Sequence, residues 1–128
     1  MAQKILVVDD EANIRNLMDQ ILEVLEDEDV EILFAEDGQE AMATIESEKP
    51  ELVFLDVMMP EMDGFEVCER VKNTQALEDI HIVLLTAKGQ EADKQKGMDV
   101  GANDYMTKPF RMRTVLNKAR EVLGLEED

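Results

Sequence analysis

Short, continuously apolar runs alternate along the chain with stretches whose apolar residues recur at helical spacing. Lys4-Ile-Leu-Val-Val8, Glu31-Ile-Leu-Phe-Ala35, Leu52-Val-Phe-Leu-Asp56 and His81-Ile-Val-Leu-Leu-Thr86 are four such runs. Their length and aliphatic content predict strands buried on both faces. Asn103-Asp-Tyr-Met106 predicts a short fifth strand. Between the runs, Ile14, Leu17, Met18, Ile21 and Leu25 follow the spacing of a helix that starts near Asn13. Ala41, Met42 and Ile45 mark a second helix, ending before Pro50, and Phe65, Val67, Cys68 and Val71 mark a third. The stretch from Gln90 to Val100 is polar and weakly patterned, with Gly101 to end it. Val115, Leu116, Ala119, Val122 and Leu123 mark the last helix. The charge run Glu26-Asp-Glu-Asp29 reads as a solvated loop. Five strand–helix alternations predict a doubly wound α/β domain, a five-stranded parallel sheet with helices on both faces.

Length and composition narrow the class. The 128 residues fit one domain, 1–128, with one sizeable core. Hydrophobic residues make up 45% and charged residues 34%, the balance of a globular rather than a disordered chain. No apolar run approaches the length of a membrane span, and the N-terminus lacks a signal-peptide pattern. Cys68, the single cysteine, excludes an internal disulfide and fits a reducing cytoplasm; its place in the apolar pattern makes it a packing residue. His81, the single histidine, has no second His or Cys near it, which argues against a zinc site or a Cys–His pair. A net charge of −18 argues against nucleic-acid binding by this chain. The charge is uneven: residues 1–87 hold 5 Lys and Arg against 23 Asp and Glu, whereas residues 88–128 hold 8 of each. Most of that acidity reads as a device for solubility. The nine methionines are scattered and read as core filler.

The candidate chemistry lies where the strands end. Three predicted strands finish on oxygen-bearing side chains: Asp9-Asp10, Asp56 and Thr86. The fifth leads directly to Lys108. A parallel sheet places all these ends along one edge, where open α/β sheets bind ligands. Three clustered carboxylates repel one another without a cation, and their oxygens suit a hard divalent ion such as Mg²⁺. Such an ion would shield Asp56 as it attacks an anionic phosphoryl group, with Thr86 and Lys108 donating to the phosphoryl oxygens. Singly, each residue has a plainer role, as helix-start acid, turn cap or surface charge. All four at one sheet edge point to carboxylate phosphorylation.

The residues Val7-Val-Asp9-Asp10-Glu11, Leu55-Asp56-Val-Met-Met-Pro60, Met62-Asp63-Gly64, Leu85-Thr86-Ala87 and Gly101-Ala-Asn-Asp-Tyr-Met-Thr-Lys108-Pro109-Phe110 carry a close resemblance to the response-regulator receiver domain of two-component signalling. It covers essentially the whole chain. The resemblance implies a chemotaxis-regulator-like, flavodoxin-like fold with sheet order 2-1-3-4-5. It implies that Asp56 accepts a phosphoryl group from a histidine kinase or phosphotransfer protein, and that the domain then signals to a downstream protein or output domain. It implies Mg²⁺ held by Asp10, Asp56 and the main-chain carbonyl of Met58, with Asp9 acting largely through water. Thr86 and Tyr105 become the activation switch, and the fourth helix, fifth strand and last helix the output surface. Catalysis would be limited to the chain's own phosphorylation and dephosphorylation. Lys108-Pro109 is expected to be cis, and Met58 and Lys88 occupy positions that affect dephosphorylation in the family.

Two rivals fit less well. A haloacid-dehalogenase-type phosphohydrolase needs a second Asp where Met58 stands, and a flavodoxin-type FMN binder needs a phosphate loop where Asp9-Asp10 would repel phosphate. Departures from the family are mild. Asn103 stands where members often carry an acid. Thr114 stands where receivers joined to winged-helix DNA-binding domains often carry Glu, which leaves a phosphorylation-linked dimer open. The chain is either a stand-alone regulator or a receiver from a longer protein; Met1 and the acidic tail Glu126-Glu-Asp128 lean toward the former.

Overall fold

The computed structural model describes residues 2–87 and 91–125, with residues 91–93 described by their backbone alone. Strands β1 (Gln3–Val8), β2 (Val30–Ala35), β3 (Leu52–Asp56), β4 (His81–Ala87) and β5 (Asp104–Lys108) form one sheet in the order β2-β1-β3-β4-β5. Every pairing is parallel. Helices α1 (Ala12–Leu22), α2 (Gly38–Glu48), α3 (Gly64–Lys72) and α4 (Glu91–Asp99) connect the strands, and α5 (Met112–Leu123) follows β5. The predicted architecture is therefore the observed one.

The apolar runs lack polar alternation because both sheet faces are covered. Leu6, Val8, Val53, Leu55, Ile82 and Leu84 point to one face and pack with Ala41 and Ile45 of α2 and Val67, Cys68 and Val71 of α3. Ile5, Val7, Leu52, Phe54, Val83 and Leu85 point to the other and pack with Met18, Ile21 and Leu22 of α1 and Val115 and Ala119 of α5. The side-chain period of two thus splits each strand between two cores.

Side-chain caps set two helix starts. Asp37 accepts from the Glu40 backbone N–H at 2.8 Å and starts α2; Asp63 accepts from Glu66 N–H at 2.9 Å and starts α3. Gly64 is required where α3 meets the end of β3, because a Cβ there would lie 2.3 Å from the Asp56 carbonyl oxygen. Helix α4 has no strong apolar stripe, and Gly97 brings it close enough to β4 that a Cβ would meet Leu84 Cδ1 at 2.6 Å.

The structure departs from the sequence expectations in three places. The run taken as a solvated loop lies mostly in a 3-10 turn, Glu23–Glu28, followed by Asp29 in the left-handed region. Fully buried Leu25 pins the turn, and Arg120 on α5 pairs with Glu28 at 2.9 Å. Strand β5 starts one residue later than expected and runs through Lys108. The methionines are not all core filler: Met58 is 68% exposed, and Met98 and Met112 are also exposed. The expected start of the fourth helix at Gln90 lies outside the described residues.

Candidate functional site

Strand register assembles the carboxyl edge. Val8 lies beside Leu55, Asp56 beside Leu85, and Ala87 beside Lys108. Asp9 and Asp10, leaving β1, therefore fall next to Asp56 at the end of β3. One carboxylate oxygen from each of Asp9, Asp10 and Asp56 lies within 4.8 Å of the others. Asp9 is fully buried, Asp56 is 3% exposed, and Asp10 faces solvent.

Asp9 is held at every polar atom. Its N–H donates to the Ala35 carbonyl at 3.2 Å, and its carbonyl accepts from Arg15 Nη1 at 2.7 Å. Its Oδ1 accepts from Glu11 N–H at 3.0 Å and its Oδ2 from Lys108 Nζ at 2.8 Å. Asp56 Oδ1 accepts from Met58 N–H at 3.3 Å and from Lys108 Nζ at 3.2 Å. One ammonium thus bridges two of three carboxylates.

That single positive charge does not offset the cost of the cluster at Asp56. Burial, then the negative charge of Asp9, pushes the Asp56 carboxyl from its ordinary 3.8 up to about 6, against the pull of Lys108 and the Met58 N–H. Burial also disfavours the Lys108 ammonium. The hydrogen bond to Asp9 and the charges of Asp56 and Asp9 outweigh it, and the Lys108 pKa is raised. Without a cation the site is a strained electrostatic arrangement. Three convergent carboxylate oxygens, two of them buried and sharing one ammonium, fit the needs of a hard divalent ion. Asp9, Asp10 and Asp56 are the residues that would hold it.

The other predicted residues lie along the same edge in different roles. Thr86 is buried at the end of β4, and its hydroxyl donates to the Met106 carbonyl at 3.4 Å. Tyr105 sits on β5 beside Leu84, half-buried, with Lys94 Nζ 4.8 Å from its ring centroid. It lies outside the acidic cluster. The Lys108–Pro109 peptide is cis. Lys88 lies outside the described residues. Cys68 is buried, its thiol pushed up to about 11 chiefly by burial, so it is a packing residue and not a nucleophile.

Sequence reasoning passed over Arg15 and Glu36. Arg15 Nη1 reaches the Asp9 carbonyl, and Arg15 Nη2 reaches Glu36 Oε1 at 2.9 Å. The available signal was charge: Arg15 is one of only 5 basic residues among the first 87, and it lies one turn into the helix that follows Asp9-Asp10.

Comparison with known proteins agrees with this geometry. Residues 5–120 match the response regulator receiver domain. The chain is 43% identical over 127 residues to the alkaline phosphatase synthesis transcriptional regulatory protein PhoP of Bacillus subtilis, covering 99% of this chain and 51% of that protein. It is 44% identical over 123 residues to the phosphate regulon transcriptional regulatory protein PhoB of Pseudomonas aeruginosa, covering 96% and 52%. The chain spans about half the length of the curated relatives it matches. Among solved structures, the chemotaxis protein CheY4 of Vibrio cholerae superposes with a TM-score of 0.83 at 33% identity, covering 95% of this chain and 99% of that one. No helix among the described residues is long and apolar enough to cross a membrane.

Proposed function

The chain belongs to the response regulator receiver domain family, and on that premise we propose that Asp56 is its phosphoryl acceptor, with residues 1–128 working as one receiver unit. The donor is the phosphohistidine of a histidine kinase or phosphotransfer protein, which places the reaction in the cytoplasm. The observation that carries this reading is the seat of Asp56: a nearly buried carboxylate ending the central strand, raised to about 6, beside Asp9, Asp10 and Lys108. At neutral pH it is ionised and nucleophilic. Its oxygen forms the new bond to phosphorus as the bond from phosphorus to the donor imidazole nitrogen breaks. The imidazole leaves with that electron pair.

Asp10 and Asp56 would hold Mg²⁺ together with the main-chain carbonyl of Met58, with Asp9 beside them in the same acidic group. When bound, the ion would supply positive charge that offsets the carboxylates and the incoming phosphoryl oxygens. Lys108, already on Asp56, moves its ammonium onto a phosphoryl oxygen, and Thr86 turns its hydroxyl from Met106 to another. The space left by Thr86 lets Tyr105 turn inward. That transmits the change to the surface of α4, β5 and α5, which a downstream protein or output domain reads. This surface belongs to the part of the chain with balanced charge, where an approaching protein meets least repulsion. The curated relatives are named transcriptional regulators and are about twice as long, so the output belongs to a partner or a further domain, not to nucleic-acid contact by these residues. A phosphorylation-linked dimer is one form that output can take.

The test is incubation with acetyl phosphate and Mg²⁺ followed by intact-mass measurement. The chain should gain one phosphoryl group and Asp56→Asn none. Equal labelling of the two would refute the assignment.

A further inference from the structure

We propose that Arg15 is a positioning residue for the phosphoryl-acceptor site, and that it works through the Glu36–Gly38 turn, which offers no ligand of its own. The inference rests on the metal-assisted reading given above. It starts from the two loops that carry the ligands. One runs from β1 to α1 and bears Asp9 and Asp10; the other runs from β3 to α3 and bears Met58. The turn between β2 and α2 touches both.

The first contact is the Arg15 fork. Nη1 donates to the carbonyl of Asp9 at 2.7 Å and Nη2 to Glu36 Oε1 at 2.9 Å. Together with the Asp9 N–H to Ala35 carbonyl bond at 3.2 Å, this ties the main chain of Asp9 to the end of β2 on both sides of its Cα. The Arg15 side chain is largely covered, at 17% exposure, while Glu36 is 65% exposed. A pair so open on one side contributes little to stability. What the guanidinium does provide is two donors in a fixed plane, spanning a carbonyl on one loop and a carboxylate on the next. A lysine ammonium cannot span them in the same way. Arg15 thus holds the Asp9 main chain while the Asp9 carboxylate lies in the acidic group.

The second contact is Gly38, at the start of α2. It packs so closely on the β3–α3 loop that a Cβ would lie 2.5 Å from the Met62 carbonyl oxygen and 2.8 Å from the Met62 Cβ. The turn therefore fixes the spacing of the two ligand-bearing loops, by a hydrogen-bonded fork on one side and close backbone packing on the other.

The charge of Arg15 makes the proposal decidable. By Coulomb attraction alone, removing a cation that sits on the main-chain carbonyl of Asp9, in the loop that carries Asp9 and Asp10, should tighten the binding of a dication. Loss of positioning should weaken it. The experiment titrates Mg²⁺ into the full chain by calorimetry without phosphodonor, at a temperature where melting in EDTA shows each variant folded. Arg15→Lys keeps the charge and loses the fork. Its dissociation constant for Mg²⁺ should rise roughly tenfold, the low end of the range for loss of a residue that orients a metal ligand. Arg15→Gln should also bind more weakly, against the electrostatic sign. At saturating Mg²⁺, acetyl phosphate labelling of Arg15→Lys should return to the wild-type rate. Unchanged affinity in Arg15→Lys, or tighter binding in Arg15→Gln, overturns the proposal. A wild-type chain that binds no Mg²⁺ overturns the underlying reading instead.

Discussion

Replacing Asp56 by Asn should stabilise the metal-free protein, by an amount that depends on pH in a defined direction. The folded Asp56 carboxyl titrates at about 6, against an ordinary value of 3.8, because burial and the charge of Asp9 oppose its ionisation. A raised acid pKa means that the folded state holds the proton more tightly than the unfolded state. Stability from this group is therefore complete below the ordinary value, falls as pH rises between 3.8 and about 6, and stays low above that. A shift of about two units at about 1.4 kcal/mol each corresponds to about 3 kcal/mol. That net already contains the attraction of Lys108, whose ammonium lies 3.2 Å from Asp56 Oδ1. Asn keeps an oxygen to accept from Lys108 and Met58 and carries no charge. In EDTA, Asp56→Asn and wild type should have similar stability near pH 4 or below. The mutant should lead by about 3 kcal/mol at neutral pH, close to 10 °C in melting temperature for a chain of this size. Urea unfolding across that pH range measures the difference, and the acidic residues remote from the site cancel because both proteins carry them. A constant difference across the range, or a mutant less stable at neutral pH, would refute the electrostatic account of the site.

Three further outcomes follow from the same geometry. Mg²⁺ should raise the melting temperature of the wild-type chain, since a ligand bound only by the folded state stabilises it, and the rise should shrink in Asp10→Asn; a calorimetric scan with and without the ion checks this. Gly64→Ala should cost about 3 kcal/mol in urea unfolding, because its methyl group would lie 2.3 Å from the Asp56 carbonyl oxygen and 2.9 Å from Val57 Cα, backbone atoms that cannot step aside. Beryllofluoride, a phosphoryl mimic, should change amide exchange in α4 and β5 as well as around Asp56; changes confined to the Asp56 loop would remove Tyr105 from the signalling route.

The fold was legible because its determinants are local and repetitive. Each apolar strand run is bounded by polar turns or prolines, and the lack of alternation in β1, β3 and β4 signals two covered faces. The acidic edge was legible for a topological reason. Once the sheet is parallel, every strand ends on one side, so Asp9, Asp10, Asp56, Thr86 and Lys108 must share an edge. What escaped the sequence depends on contacts between distant residues. Glu28 and Arg120 are 92 residues apart, and their pairing turned an expected loop into an anchored 3-10 turn. Arg15 and Glu36 carry no motif, and only the adjacency of β1 and β2 brings their side chains together.

The same distinction explains the state in which the site is held. Lys108 reaches Asp9 across 99 residues and Asp56 across 52, so its ammonium stands where nothing local in the sequence would put it. It occupies one oxygen of each carboxylate and leaves Asp56 raised, not relieved. A lysine that fully neutralised the cluster would leave little reason for a dication or a phosphoryl group to enter. A site with no lysine would hold three carboxylates with no internal counter-ion and destabilise the fold further. One shared ammonium is the intermediate case. It partly offsets the repulsion among the carboxylates, and on the reading proposed above its three N–H donors would pass to phosphoryl oxygens once Asp56 is an acyl phosphate, whose carboxyl oxygens carry less charge. On the reading proposed above, relief of the residual penalty at Asp56 would contribute to the free energy of metal binding and phosphorylation.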